Sequence, residues 1–307
     1  MVKVLVCDRV DEEGIKILKE NGFEVDVKLN LTREQLKEEV KNYDALIVRS
    51  RTKVTREVLE AAGNLKLIVR AGVGLDNIDL EAARERNIAV TNTPEAISSS
   101  VAELTVGLML AVARGIAEAD RTVKGGGWSK EKFVGLGLKG KTLGIIGLGR
   151  IGCEVARVGK ALGMKVIFYD VAPRDEVAKE IGCEPAGSLE ELLASSDIIS
   201  IHVPLTAETR HLIGERELSK VKPGAILINT ARGAIVDEKA LYWALKSGRL
   251  GGAGLDVYEE EPPKNIDLVR LPNVVCTPHI GAQTREAQRE ASLIAARKIV
   301  EFFRGGG

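Results

Sequence analysis

The sequence is poor in the residues that build metal sites and disulfide frameworks. Its 307 residues include four cysteines and three histidines, and aromatic residues make up only 4% of the chain. The spacing of the cysteines suits neither a zinc site nor a disulfide framework, so we interpret them as small buried apolar residues. These are Cys7, Cys153, Cys183 and Cys276. We therefore expect no metal site.

Excess charge and long apolar runs are also missing. The 44 basic and 44 acidic residues balance, so no net field attracts nucleic acid or an anionic membrane. No uncharged apolar stretch approaches the roughly 20 residues of a membrane helix. The first residues, MVKVLVCDRV, do not resemble an export signal. We expect a cytoplasmic protein that binds neither nucleic acid nor a membrane.

One stretch of about thirty residues carries a complete dinucleotide-binding pattern. A short apolar strand precedes Gly147, Gly149 and Gly152, which have the spacing G-x-G-x-x-G. An amphipathic helical pattern follows, and then a second strand that ends at Asp170. In such a motif the glycines permit a tight turn, close backbone approach to a pyrophosphate, and close packing of helix on strand.

The acid at the end of the second strand indicates which dinucleotide is bound. Asp170 can accept hydrogen bonds from ribose hydroxyls and would repel a 2′-phosphate, which favours NAD over NADP. Arg174 lies four residues further on and slightly weakens that preference. A purely structural glycine turn is the alternative, but it would leave Asp170 unexplained.

Strand-like and helical segments alternate along the whole chain, which indicates parallel sheets with helices on both faces. We predict an α/β protein with two doubly wound parallel-sheet domains. Residues 1–98 and 284–307 would form a flavodoxin-like substrate-binding domain, and residues 99–283 a Rossmann NAD-binding domain. A long helix at 100–119, with Ser100 and Glu103 as a capping box, would connect them.

Two loops of the first domain carry arginines directly after strands. Arg49, Ser50 and Arg51 follow the third strand, and Arg70 opens a glycine-rich loop after the fourth. Ligands of open parallel sheets bind beyond the carboxyl ends of strands. The glycine-rich loop could hold a carboxylate through backbone N–H groups, and the arginines a second anion. The alternative is that the arginines are solvated surface charges.

Three further residues follow strands of the second domain and could act together. Arg232 could hold a substrate carboxylate, His279 could accept the proton of a hydroxyl group, and Glu261 could orient the imidazole. Oxidation of an alcohol with NAD requires these functions. From spacing alone, a structural histidine and a solvated acidic run remain the alternatives.

The chain resembles the D-isomer-specific 2-hydroxyacid dehydrogenase family over essentially its full length. The shared motifs are RAGVGLDNID, NTPEAISSSVAELT, LKGKTLGIIGLGRIG, HVPLT, INTARGAIVD, GLDVYEEEPP and TPHIGA. The resemblance implies that Arg232, Glu261 and His279 are catalytic, and that Val73 and Gly74 touch both substrate and nicotinamide. Besides the three motif glycines, it implies cofactor contacts at Arg150, Ile151, Asp170, His202, Val203, Thr230, Ala231, Asp256 and Gly281.

Within the family, Arg49, Ser50 and Arg70 match the branch that oxidises D-3-phosphoglycerate to 3-phosphohydroxypyruvate, the first step of serine synthesis. The resemblance thus implies an NAD-dependent enzyme with a phosphorylated 2-hydroxy acid as substrate, bound in the cleft between the domains. A glyoxylate or hydroxypyruvate reductase is the near alternative, and an NAD-sensing corepressor-like protein a distant one. A homodimer is expected, without the C-terminal regulatory domain that many relatives carry.

Overall fold

The protein consists of two compact units. In the computed structural model, which describes residues 1–305, unit 1 comprises Met1–Ile97 and Ala282–Gly307, and unit 2 comprises Ser98–Gly281. Gly306 and Gly307 belong to the predicted first domain but lie outside the described residues.

Unit 1 contains a five-stranded sheet in which all neighbouring strands are parallel. The strands are β1 (Lys3–Val6), β2 (Glu24–Val27), β3 (Ala45–Val48), β4 (Leu67–Arg70) and β5 (Ala89–Asn92). Their order in the sheet is β2-β1-β3-β4-β5, which is the flavodoxin-like order. The helices between them are α1 (Glu12–Glu20), α2 (Arg33–Glu39), α3 (Arg56–Ala61) and α4 (Leu80–Glu85).

Unit 2 begins with two helices, α5 (Ser98–Ala113) and α6 (Ile116–Lys124). Its sheet has seven parallel strands in the order β12-β11-β10-β9-β6-β7-β8. The strands are β6 (Thr142–Ile146), β7 (Lys165–Tyr169), β8 (Glu184–Pro185), β9 (Ile198–Ile201), β10 (Ala225–Asn229), β11 (Leu250–Leu255) and β12 (Val274–Cys276). The chain runs outward from β6 to one edge and returns on the other side, so the sheet is doubly wound, as in a Rossmann domain.

The helices of unit 2 connect these strands. They are α7 (Arg150–Ala161), α8 (Asp175–Ile181), α9 (Leu189–Ser195), α10 (Glu215–Lys220), α11 (Glu238–Lys246) and α12 (Ile266–Val269). The last helix, α13 (Arg285–Arg304), belongs to unit 1, where it packs against α1. Short 3₁₀ turns occupy Val40–Asn42, Pro94–Ala96, Lys130–Lys132 and Gly233–Ile235. The predicted α/β class with two parallel sheets is confirmed.

Alternation of side chains along the strands explains why both faces of each sheet are covered. In β1, Val4 and Val6 pack into one core of unit 1, whereas Leu5 packs into the other. In β10 of unit 2, Ile226 and Ile228 face one core and Leu227 faces the opposite one. Successive side chains of a strand point to opposite faces. A strand that is apolar at every position must therefore be covered on both sides.

The predicted continuous helix over 100–119 is wrong. The α5 helix ends at Ala113, and α6 starts at Ile116 after a bend of 65°. Gly115 lies between them with φ 59° and ψ 33°, in the left-handed region. Glycine adopts this conformation without the steric cost that a Cβ atom brings, and it commonly ends helices.

The predicted capping box is also wrong, because α5 starts two residues before Ser100. Ser100 therefore lies inside the first turn, and its hydroxyl donates to the carbonyl oxygen of Gly281 over 2.6 Å. In the described part of the chain, no single helix is long and apolar enough to cross a membrane. Only α5 and α6 taken together, across their bend, have the necessary length and composition.

We predict that Gly115→Ala lowers the free energy of unfolding by about 1 kcal/mol, because alanine is strained in the left-handed region. Its Cβ atom would meet only ordinary contact, with Phe133 at 3.7 Å, so the effect isolates the backbone. Gly107→Ala, in α5 with open space around the added carbon, is the matched control and should be neutral or stabilising. Urea unfolding measures both. Equal effects of the two substitutions would contradict this account of the bend.

Candidate active site

The glycine loop lies between β6 and α7, where the unit 2 sheet reverses its strand order. Gly147 has φ 92°, and its N–H donates to the carbonyl of Tyr169 over 2.9 Å. A Cβ atom on Gly152 would lie 2.2 Å from the carbonyl oxygen of Gly147, whereas the space beside Gly149 is open. The α7 helix begins at Arg150 without a side-chain cap. Its first N–H groups can therefore bind phosphate oxygens, and the loop fits the pyrophosphate of a dinucleotide.

Asp170 follows β7, at the end of the glycine loop's strand–helix–strand unit. Its Oδ2 accepts hydrogen bonds from the Leu148 N–H at 2.8 Å and the Arg174 Nε at 3.1 Å, and its Oδ1 accepts one from the Ala172 N–H at 2.9 Å. An ionised carboxylate has about four acceptor positions. Acceptor capacity therefore remains at Oδ1 for a ribose hydroxyl.

The other residues of unit 2 predicted to contact the cofactor also follow the carboxyl ends of its strands. Ile151 lies in the first turn of α7, next to Arg150, and Gly281 follows β12. The pairs that follow β9 and β10 are His202 with Val203 and Thr230 with Ala231. Ligands of doubly wound sheets bind at these strand ends.

Two of these side chains are hydrogen-bonded within unit 2. The His202 Nε2 lies 2.8 Å from the Ser200 hydroxyl, and burial lowers the pKa of His202 to about 3, so the ring is neutral at neutral pH. The Thr230 hydroxyl lies 2.8 Å from that of Thr105 in α5. Both pairs fix the start of a loop that was predicted to contact the cofactor.

His279 and Glu261 form a direct pair. The His279 Nδ1 lies 2.8 Å from Glu261 Oε2, and both side chains are partly exposed. Burial by itself would raise the pKa of Glu261. The hydrogen bond and charge of His279, together with the Tyr258 N–H and the charge of Arg232, outweigh burial and hold that pKa below its ordinary value. Glu261 is therefore ionised near neutral pH and can only accept, so the Nδ1 of His279 donates.

Arg232 follows β10 on a loop that Asn229 holds. The Asn229 side chain, 1% exposed, donates to the Arg232 carbonyl at 2.9 Å and accepts from the Ala231 N–H at 3.1 Å. The guanidinium of Arg232 donates to the Ala231 carbonyl at 2.6 Å. Because its charge lowers the pKa of Glu261, Arg232 belongs to the same cluster as the Glu261–His279 pair.

The loop that carries His279 is held by the buried carboxylate of Asp256. Asp256 accepts from the Thr277 hydroxyl at 2.6 Å, the Ile280 N–H at 2.8 Å and the Gly281 N–H at 2.9 Å. Between these anchors, His279 adopts φ 55°. A side chain in the left-handed region costs roughly 1–2 kcal/mol. The Asp256 hydrogen bonds therefore maintain a backbone conformation that the loop would not adopt alone.

A second set of contacts, which we call the Glu238–Glu259 clamp, ties the Arg232 loop to the Glu261 loop. Glu259 accepts from the Glu238 N–H at 3.1 Å, and Glu238 accepts from the Glu259 N–H at 2.8 Å. The His211 Nε2 lies 3.2 Å from Glu259. Burial, and then the neighbouring carboxylates, raise the pKa of Glu238. Glu238 opens α11 soon after Arg232, and Glu259 lies two residues before Glu261, so the clamp joins both loops.

In unit 1, the residues predicted to bind the substrate follow β3 and β4, which are neighbours in the sheet. The guanidinium of Arg49 is partly buried and makes no hydrogen bond or ion pair with residues 1–305. Arg51 differs, because it donates to the buried carboxylate of Asp8 at 3.1 Å and also bonds to Asn30. The two arginines therefore differ in their partners. The guanidinium of Arg51 is already bound within unit 1 and is not available to hold an anion. Ser50 between them is exposed.

Arg70 ends β4 and is 8% exposed. Its guanidinium lies where a Cβ atom on Gly72 would be, so it lies directly against the glycine-rich loop. Val73 and Gly74 continue this loop, and the Val73 carbonyl accepts from the Asn92 side chain at 2.6 Å. These residues belong to unit 1, whereas Arg232, Glu261 and His279 belong to unit 2.

Sequence reasoning missed the positioning contacts around the cluster. Asp256 was expected to touch the cofactor, and its three hydrogen bonds to the His279 loop were not foreseen. Glu238 was not singled out, and Glu259 was noted only as part of an acidic run. The one available signal was that both acids flank the predicted catalytic residues. Within residues 1–305, no group of three or more His, Cys, Asp or Glu side chains is arranged to hold a metal ion.

Comparison with known proteins identifies the family. The model of the D-isomer-specific 2-hydroxyacid dehydrogenase NAD-binding domain matches residues 106–281, more than half of the chain. The chain belongs to the D-isomer-specific 2-hydroxyacid dehydrogenase family. Unit 2 therefore contains the NAD-binding domain of this family, which agrees with the NAD predicted from the glycine loop.

Two relatives of the chain carry different enzyme names. It is 53% identical to the D-3-phosphoglycerate dehydrogenase of Methanocaldococcus jannaschii, covering 99% of this chain but only 58% of that protein. It is 47% identical to the glyoxylate reductase of Thermococcus litoralis, covering 99% of this chain and 94% of that protein.

A solved structure supports the same family fold. A protein of Thermus thermophilus superposes with a TM-score of 0.91 at 40% sequence identity, covering 99% of this chain and 97% of that one. Its fold agrees with the one derived above from the sheet order.

We predict that Glu238→Ala lowers dehydrogenase kcat by about 10- to 100-fold, because a displacement of about 1 Å between Arg232 and Glu261 is costly. Glu238→Gln keeps an acceptor for the Glu259 N–H and should recover most of the rate. Glu260→Ala is the matched control, because Glu260 lies in the same acidic run but pairs with Lys264 outside the clamp. Steady-state kinetics would contradict the positioning role if Glu238→Ala and Glu260→Ala behaved alike.

Proposed function

We propose that the chain is an NAD-dependent D-2-hydroxyacid dehydrogenase that oxidises D-3-phosphoglycerate at C2 to 3-phosphohydroxypyruvate, the first step of serine synthesis. Unit 1 would recognise the substrate, and unit 2 would hold the dinucleotide. The observation that carries this proposal is the Glu261–His279 pair within reach of the Arg232 charge, in the same unit as a loop that fits a dinucleotide. The chain spans 58% of the archaeal D-3-phosphoglycerate dehydrogenase it matches.

The geometry supports separate roles for His279, Glu261 and Arg232 when the hydroxyl proton is removed. The Nδ1 of His279 donates to Glu261, so its Nε2 is the atom left to accept a proton. The ionised Glu261 would stabilise the imidazolium that forms. Arg232 would bind the substrate carboxylate and polarise the C2 oxygen. NAD, when bound, supplies the hydride acceptor.

Recognition of the substrate carboxylate would also involve the glycine-rich loop of unit 1. Backbone N–H groups in such a loop form a concave site for an anion. Val73 and Gly74 are the residues we assign to it. The Asn92 side chain donates to the Val73 carbonyl, which fixes the backbone of this loop.

The state of Arg49 supports a phosphate site. Burial lowers the pKa of this arginine, an effect that the nearby Asp8 only partly offsets, and its guanidinium has no hydrogen-bond partner within residues 1–305. A partly dehydrated cation without a partner is costly unless an anion binds to it. Arg70 ends the adjacent strand, and Ser50 supplies a hydroxyl. A guanidinium matches phosphate in both geometry and charge.

A glyoxylate or hydroxypyruvate reductase is the second candidate, because the Thermococcus relative matches almost end to end. The proposed chemistry at Arg232, Glu261 and His279 would serve either substrate class. Only the phosphate contacts distinguish the two, so the test must compare acids with and without a phosphate group.

The function is tested by NADH formation from D-3-phosphoglycerate and from D-glycerate. We expect a clear preference for the phosphorylated acid, with KM raised about tenfold or more by Arg49→Ala or Arg70→Ala, because a charge-assisted hydrogen bond is lost. Arg51→Ala is the matched control, since its guanidinium is already bound to Asp8. Equal or better activity on D-glycerate, or rapid glyoxylate reduction, would instead support the reductase.

We also propose that the chain forms a homodimer through α6 and the loop that follows it. Ile116 and Val123 are exposed on α6, and Trp128 and Val134 beyond it are 85% and 89% exposed. Exposed apolar side chains grouped in one segment mark interaction surfaces. A two-fold symmetric dimer would cover the same patch on both copies.

Light scattering after gel filtration tests this arrangement. The wild type should have twice the mass of one chain, and the double variant Trp128→Ser with Val134→Ser should shift towards the monomer. Trp243→Ser, which removes an exposed tryptophan on α11, serves as the control and should leave the mass unchanged. A wild type that is monomeric at high protein concentration would contradict the dimer.

A further inference from the structure

An arginine side chain forms an ion pair with Asp170, the acid predicted to bind the ribose. The Arg174 Nε donates to Asp170 Oδ2 at 3.1 Å, and the side chains are 37% and 9% exposed respectively. Arg174 immediately precedes α8, and its carbonyl accepts from the Ala178 N–H at 2.9 Å. The backbone and the side chain of Arg174 are therefore both held in place beside the predicted ribose site.

This pairing changes the electrostatics of that site. A lone carboxylate at the end of the second strand repels a 2′-phosphate and so selects NAD. Here the carboxylate is paired with a guanidinium, and the formal charge of the pair is zero. The negative charge that would exclude a 2′-phosphate is therefore largely compensated by the protein's own cation.

Arg174 also retains donors for an additional ligand. Only its Nε is hydrogen-bonded within residues 1–305, so the four N–H bonds of its two terminal nitrogens remain available. The neighbouring Arg157 contrasts with it, because Arg157 donates to Glu154 at 2.8 Å and to Glu180 at 3.0 Å. A guanidinium with a free edge is the group best suited to bind phosphate oxygens in pairs.

We propose that Arg174 allows unit 2 to accept a dinucleotide with a 2′-phosphate, so that the protein uses NADP as well as NAD. The 2′-phosphate binds the free edge of the guanidinium, while Asp170 remains held by the N–H groups of Leu148 and Ala172. NAD remains the better ligand, because its ribose hydroxyls can donate to Asp170 whereas a phosphate cannot. The proposal extends the NAD-dependent function and concerns only the adenosine end of the dinucleotide.

The test is direct binding of NADH and NADPH, followed by isothermal titration or by nicotinamide fluorescence. This readout does not depend on which acid the enzyme oxidises, so failure of the proposed substrate would leave it intact. The wild type should bind both nucleotides, with NADPH weaker by no more than about 100-fold, the cost of one or two charge-assisted contacts. If NADPH does not bind the wild type, the proposal is overturned.

The variants assign the effect to Arg174. Arg174→Ala should raise the ratio of the NADPH Kd to the NADH Kd by about tenfold or more. Arg174→Lys keeps the charge without the planar fork, so its ratio should lie between those of the wild type and Arg174→Ala. Asp170→Ala should lower that ratio. Arg216→Ala is the control, because Arg216 is an exposed arginine of α10 paired with Glu190. An unchanged ratio in Arg174→Ala would also overturn the proposal.

Discussion

The buried carboxylate of Asp256 is the constraint on which the candidate active site depends. It lies just beyond β11, is 1% exposed, and accepts three hydrogen bonds from the loop that follows β12. A buried carboxylate is costly unless its oxygens are satisfied. The loop satisfies them only in the conformation that holds His279 at φ 55° and directs its Nδ1 to Glu261. The buried Asp256 carboxylate, which requires these hydrogen bonds, thus stabilises the strained backbone of His279.

The parallel sheet explains how residues far apart in the chain reach this arrangement. In a doubly wound sheet, the carboxyl ends of all strands share one edge, and the loops there are free of the ladder hydrogen bonds. Unit 2 places Arg232, Glu261 and His279 after three consecutive strands of that edge. The Glu238–Glu259 clamp and Asp256 then fix the loops relative to one another through backbone N–H groups. The sheet supplies approximate proximity, and buried or paired carboxylates supply the fine positioning.

Much of the fold could be predicted from the sequence because it depends on local patterns. Apolar strand-length runs alternating with helical segments predicted the parallel sheets, and the glycine spacing located the dinucleotide loop. The break at Gly115 was missed because apolar periodicity continues on both sides of it. The hydrogen bonds of Ser100 to Gly281 and of Glu238 to Glu259 join residues distant in the chain, and no local pattern reports them. Likewise, Arg49 and Arg51 look equivalent in sequence, and only the buried position of Asp8 distinguishes them.

The central claim is that Glu261 fixes the tautomer of His279 and leaves Nε2 as the proton acceptor. Because the chain has only three histidines, the imidazole ¹⁵N spectrum of histidine-labelled protein can be assigned by comparison with His279→Asn. For the neutral form of the His279 ring, the account predicts a protonated Nδ1 and an unprotonated Nε2. It also predicts that Glu261→Ala abolishes this preference, since the acceptor is removed. A His279 ring protonated on Nε2, or a preference unchanged in Glu261→Ala, would contradict the account.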